Sequence, residues 1–147
     1  EGIIFFDKKN DIKSKLQSVS KTGLNYMSLG QPLSTLSGGE IQRVKLAQHL
    51  DEEIKNSIFI FDEPTTGLHE SDIPILMECF DDLIDQNNTV ILIEHNLSIM
   101  CEADWIIDVG PGPGLDGGKV QFSGTPKNFI DSSETLTSKH LKRYINQ

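Results

Sequence analysis

The 147 residues carry 22 Asp and Glu against 13 Lys and Arg, a net charge of −9, with 37% hydrophobic and 24% charged residues. That composition excludes a low-hydrophobicity disordered chain. No stretch approaches the ~20 uninterrupted apolar residues of a membrane helix, so no membrane partner is expected.

A chain of this length buries about two thirds of its unfolded surface, enough for one core in one domain or a piece of one. The charge is uneven. Residues 51–110 hold fifteen acids and a single lysine, while the segments on either side are mildly basic. This middle third repels a phosphate backbone, so any DNA has to be gripped by other parts of the protein. The chain opens on Glu1 without an initiator methionine or an apolar leader. The expectation is a segment of a longer cytoplasmic product. Cys79 and Cys101 have no CxxC spacing and no His cluster. Two reduced cysteines are expected, with no zinc in this segment.

In chain order, residues 11–21 read as a short polar helix with Ile12, Leu16 and Val19 on one face, ended by Gly23. Ser37 to Leu50 is helical, with Ile41, Val44, Ala47 and Leu50 at helical repeats. The apolar run 57–61 (SIFIF), closed by acids and Pro64, has the look of a buried parallel strand. Residues 71–86 form a helix burying Ile75, Leu76, Cys79, Phe80, Leu83 and Ile84. A second buried strand follows at 89–93 (TVILI), then a short helix from Asn96 to Cys101. Strands at Trp105–Val109 and Lys119–Phe122 and polar terminal helices complete the order. Strands alternating with helices predict an α/β fold with a mainly parallel sheet flanked by helices. No repeat or linker interrupts it, so one compact piece is expected.

Three places carry chemistry. The first is the strand end at Asp62-Glu63-Pro64. A buried strand delivers both carboxylates to the crevice where α/β sheets bind ligands. There one acid holds Mg²⁺ and the other orients or deprotonates an attacking water. Equally, the three residues can simply punctuate the strand.

The second is Leu36-Ser37-Gly38-Gly39-Glu40. Ser37 and Glu40 have the spacing of a capping box. That does not explain two glycines in a first helical turn, where each costs about 1 kcal/mol relative to Ala. Bare backbone N–H groups at a helix start also suit a phosphate, and both roles can coexist.

The third is His95, directly after TVILI. It is either structural or a donor to a terminal phosphate on the same crevice edge as Asp62.

Two decoys fall away. Gly112, Gly114 and Gly117 fit GxGxxG, but the chain continues into the KVQF strand rather than a helix. Gly118-Lys119 lacks the earlier glycine and the following Ser/Thr of a phosphate-binding loop, and no GxxxxGK[ST] occurs in the sequence.

LSGGEIQR, IFIFDEP, TTGLH and IEH, in that order, resemble the later half of an ATP-binding cassette (ABC) ATPase. The variants are more specific. GLNYMSLGQPLSTLSGGEIQRVKLAQHL, DEPTTGLH, NTVILIEHNL and ADWIIDVGPGPGLDGGKVQFSGTP are similar to the UvrA family, the ABC-type ATPases of the excinuclease in nucleotide excision repair. Where a transporter cassette usually has Asp, this chain has His69.

The resemblance implies a partial P-loop NTPase fold: the C-terminal part of a second cassette, with the Walker A motif elsewhere. Residues 1–35 would be a helical lead-in, and 36–147 the C-terminal half of the nucleotide-binding domain. By motif position, Ser37, Gly38, Gly39 and Glu40 would contact ATP held by an opposing cassette. Asp62 would hold Mg²⁺ through water, and Glu63 would be the general base. Thr66, Gly67 and Leu68 would form the D-loop between cassettes, and His95 would sense the γ-phosphate.

The implied cofactors are ATP and Mg²⁺. The implied partners are a second cassette in the same chain or a homodimer, DNA, and a UvrB-type helicase subunit. The segment alone would be inactive as an ATP hydrolase. Shorter UvrA-like paralogues, some linked to resistance to DNA-binding drugs, share the LGQPLSTLSGGE wording. A non-catalytic interaction module on a cassette scaffold is the remaining alternative.

Overall fold

The computed structural model describes residues 1–50, 52, 54–112 and 117–146. It divides into two compact units, Glu1–Glu94 and His95–Gln147, in place of the single piece expected.

The first unit begins with the short helix α1 (Gly2–Phe5) and the longer α2 (Asn10–Lys21). After α2 the backbone turns at Gly23, whose φ of +76° suits a residue without a Cβ. A 3-10 turn at Leu33–Thr35 leads into α3 (Gly38–Leu50). Then come β1 (Ile58–Asp62), a 3-10 turn at Glu70–Asp72, α4 (Ile73–Asp85) and β2 (Thr89–Ile93). β1 and β2 pair in parallel, Ile58 against Thr89 through Asp62 against Ile93, joined by the α4 crossover.

The core of this unit lies where α3 and α4 meet one face of the strand pair. Leu46, Phe61, Leu76, Cys79, Phe80 and Leu83 are buried together, with Phe59, Val90 and Leu92 packed against them. The Phe61 and Phe80 rings sit 5.2 Å apart. Fully burying one such side chain contributes about 1.5–3 kcal/mol. Asn88 is the polar pin of this core. Its Nδ2 donates to Ile54 O and Leu83 O at 2.8 and 2.9 Å, and its Oδ1 accepts from Ser57 N at 3.0 Å.

Three expectations change here. On α4, Ile75 and Ile84 are 39% and 42% exposed instead of buried, and Ile73 is buried instead. Among the described residues the strands are covered on one face: Ile58, Ile60, Ile91 and Ile93 are 66%, 65%, 46% and 54% exposed. The continuous apolar runs satisfy a two-sided sheet, but these residues supply a helical layer to one side. On α3 the buried row is Gly39, Arg43, Leu46 and Ala47, while Ile41, Val44 and Leu50 are only half-buried. The helix is rotated so that an arginine faces inward.

The second unit holds α5 (Leu97–Glu102), β3 (Ile106–Gly110), β4 (Lys119–Gly124), α6 (Pro126–Ser132) and α7 (Leu136–Ile145). β3 and β4 form an antiparallel pair with an irregularity at Asp108/Val109, so the parallel pairing is confined to β1 and β2. Ile106, Phe129 and Leu141 make its core, with Phe122 4.9 Å from Phe129 ring to ring. Asn96, Thr125 and Thr135 cap α5, α6 and α7 through their side chains. The continuation of the GxGxxG-like stretch into a strand is observed as β4, and Pro113–Asp116 of that loop lie outside the described residues. Among the described residues no helix is long and apolar enough to cross a membrane.

Candidate functional site

The site is built where the first turn of α3 meets the loop that leaves β1. The capping box forms. Ser37 N donates to Glu40 Oε2 at 2.6 Å, and Glu40 N donates to Ser37 Oγ at 3.3 Å. The Tyr26 hydroxyl donates to the other Glu40 oxygen. Three donors favour the charged carboxylate, so Glu40 is pulled from 4.5 to about 2, the Tyr26 hydroxyl contributing most and the Ser37 donors next. Ser37 and Gly38 are exposed at the helix start.

The two glycines differ. A Cβ on Gly38 meets nothing within 4 Å. A Cβ on Gly39 sits 3.1 Å from Thr66 O and 3.2 Å from Glu63 O. Close packing against the β1 loop therefore accounts for Gly39, and leaves Gly38 as the glycine that packing does not require.

Asp62 ends β1 and Glu63 stands just past it, both exposed. Glu63 adopts φ +48°, a left-handed backbone that costs a side-chain-bearing residue roughly 1–2 kcal/mol. Such strain persists where the surroundings over-determine it. Here Glu63 N donates to Ile93 O at 2.8 Å, and Glu63 O accepts from Thr66 N at 3.1 Å. The Thr66 hydroxyl lies 3.3 Å from Glu63 Oε2.

Three further residues grip the same loop. The Gln42 amide brackets Asp62: Nε2 donates to its O at 2.7 Å, and Oε1 accepts from its N at 2.8 Å. Arg43, fully buried, donates from Nη1 to Pro64 O at 2.6 Å and Thr66 O at 3.1 Å. Glu94, after β2, accepts from Thr65 N and Thr65 Oγ1 at 3.0 and 2.7 Å. Sequence reasoning missed all three. Gln42 and Arg43 stand inside the LSGGEIQR motif, but a charged residue on an amphipathic helix reads as solvent-facing.

Of the expected site residues, the structure packs Gly39 on the backbone of Glu63 and Thr66, while Ser37 and Glu40 bond each other in the capping box. Gly67 is exposed at φ +79°, while Leu68 turns its side chain toward the core. His69 acts locally, its Nδ1 accepting from Ser71 N at 3.3 Å. His95 is exposed and belongs to the second unit. Among the described residues no group of three or more His, Cys, Asp or Glu could enclose a metal. An exposed carboxylate pair still fits Mg²⁺, which commonly takes one or two carboxylates and completes its shell with phosphate and water.

No family model matches the chain. The curated relatives are decisive. UvrABC system protein A of Bacillus subtilis (strain 168) is 46% identical over 146 residues, 99% of this chain. The Aquifex aeolicus (strain VF5) protein of the same name is 45% identical over 146 residues, again 99%. Along its whole length, this chain matches UvrA. Among solved structures, UvrA2 from Deinococcus radiodurans superposes over 97% of the chain with a TM-score of 0.88 and 39% identity. The α/β fold is that of the corresponding UvrA2 segment. The chain spans only 15–16% of the length of these curated UvrA relatives and 18% of UvrA2.

Proposed function

We propose that the chain is the signature-to-switch segment of a UvrA-type ATP hydrolase that couples ATP turnover to DNA damage recognition in nucleotide excision repair. The observation that carries this is the packing of Gly39 on the carbonyls of Glu63 and Thr66. It joins a glycine helix start and a carboxylate loop into one body.

In this reading the Ser37-Gly38 helix start presents backbone N–H groups to the phosphates of ATP held by an opposing cassette. Asp62 would hold Mg²⁺ through water, and bound Mg²⁺ would supply charge neutralisation at the transferring phosphoryl group. Glu63 takes the proton of the attacking water, its Oε2 oriented by the Thr66 hydroxyl. Thr66-Gly67-Leu68 meet the opposing cassette, and His95 donates to a γ-phosphate oxygen. DNA and a UvrB-type subunit engage other parts of the protein, consistent with the acidity of residues 51–110. The isolated segment is inactive, because the cradle for the β- and γ-phosphates lies outside it.

The test is Glu63→Gln in the native polypeptide that carries this chain. Steady-state ATP turnover should be lost while ATP still binds by equilibrium dialysis. Full turnover would remove Glu63 as the base.

A further inference from the structure

The loop that carries Asp62 and Glu63 is only partly held by its own turn, in which Glu63 O accepts from Thr66 N. Its backbone is strained at Glu63, and the carbonyls of Pro64 and Thr66 point out of the loop toward α3. Two adjacent residues of α3 meet this need from one side. The Gln42 amide forms a closed two-bond ring with the backbone of Asp62, substituting for a neighbouring strand at the last β1 position. Arg43 Nη1 alone donates to both Pro64 O and Thr66 O, which lie on either side of Thr65. Gly39 lets α3 come close enough for both.

We propose that Gln42 and Arg43 are positioning residues that fix the Asp62 and Glu63 carboxylates for ATP hydrolysis by clamping their backbone to the signature helix. This rests on the hydrolase reading above. Neither side chain needs to touch nucleotide. Gln42 sets the height of Asp62 on β1, and Arg43 sets the turn that follows Glu63. Displacing a reacting group by about 1 Å costs up to ~100-fold in rate. The planar guanidinium holds Nη1 aimed at both carbonyls, and a lysine ammonium on its flexible stem keeps that aim poorly.

The test uses the native polypeptide with Mg-ATP. Gln42→Met keeps the side-chain length and removes both hydrogen bonds at a half-buried position, so folding is retained. Gln42→Met should lower kcat about tenfold or more, with KM for ATP within about twofold of the parent. Arg43→Lys should act in the same direction. Should Arg43→Lys fail to fold, Gln42→Met alone decides. The melting temperature separates positioning from bulk destabilisation. A kcat loss at unchanged melting temperature supports the clamp, and one that merely follows loss of folded protein overturns it. Unchanged kcat in Gln42→Met, with Glu63→Gln inactive, also overturns the clamp and leaves the hydrolase reading intact. Full turnover in Glu63→Gln removes Glu63 as the base, and absence of ATP turnover in the parent polypeptide overturns the hydrolase reading itself.

Discussion

Glu94 accepts two hydrogen bonds from Thr65 through one oxygen, from the backbone N–H at 3.0 Å and from the hydroxyl at 2.7 Å. The residue after β2 thereby also holds the β1 loop. A hydrogen bond to a charged group is worth about 1.5–3 kcal/mol, and losing it strands a half-buried N–H. Glu94→Ala should therefore lower unfolding free energy by about 2–3 kcal/mol in urea denaturation. Glu94→Gln, whose amide oxygen still accepts both bonds, should lose less than half of that. Equal losses would show that the charge, not the acceptor geometry, is what counts.

The two glycines of the α3 start should respond oppositely to the same methyl group. Gly38→Ala adds a Cβ in open space and gains helix propensity, so stability should rise by about 0.5–1 kcal/mol. Gly39→Ala drives a Cβ to 3.1 Å from Thr66 O and 3.2 Å from Glu63 O. Both are backbone atoms, and Thr66 O is also tied to Arg43. The overpacking cost of about 1–3 kcal/mol should exceed the propensity gain. Paired denaturation curves check this, and a stabilised Gly39→Ala would show that the loop yields.

The order of elements was legible in the sequence because each apolar run and each helical stripe states its own period. TVILI coincides with β2, Asn96 with the cap of α5, and Ser37–Glu40 with a formed capping box. The side each strand buries was less legible. Ile60 and Ile91 are as apolar as Phe61 and Leu92, and only the placement of α3 and α4 decides which pair is covered. Arg43 shows the deeper limit. The buried guanidinium donates to Pro64 O and Thr66 O through Nη1, and neither carbonyl is visible in a pattern of side chains.

Glu40 ties the capping box to pH. Its carboxyl is held at about 2 in the folded chain by Tyr26 and Ser37, against an ordinary 4.5. A lowered folded value means that its stabilising effect is complete above pH 4.5 and disappears as pH falls toward 2. Parent and Glu40→Gln should therefore differ in melting temperature at pH 6, and the gap should close between pH 4.5 and 2. A gap that stays constant across this range would mean that the carboxylate charge plays no part in the cap.

The two thiols should separate cleanly by reactivity. Cys79 lies in the α4 core, where burial first and then the Asp82 charge push its thiol up to about 11. At pH 8 the thiolate is then about one part in a thousand, on a side chain that is also 2% exposed. Cys101 is raised by burial to a smaller degree and is only half-buried on α5. Iodoacetamide at pH 8 should label Cys101 first, by peptide mass mapping over time. Cys79 should react only at rates that follow opening of the core, accelerating with sub-denaturing urea. Early labelling of Cys79 without urea would mean that α4 leaves the β1–β2 pair far more readily than its packing on Phe61, Leu46 and Leu83 implies.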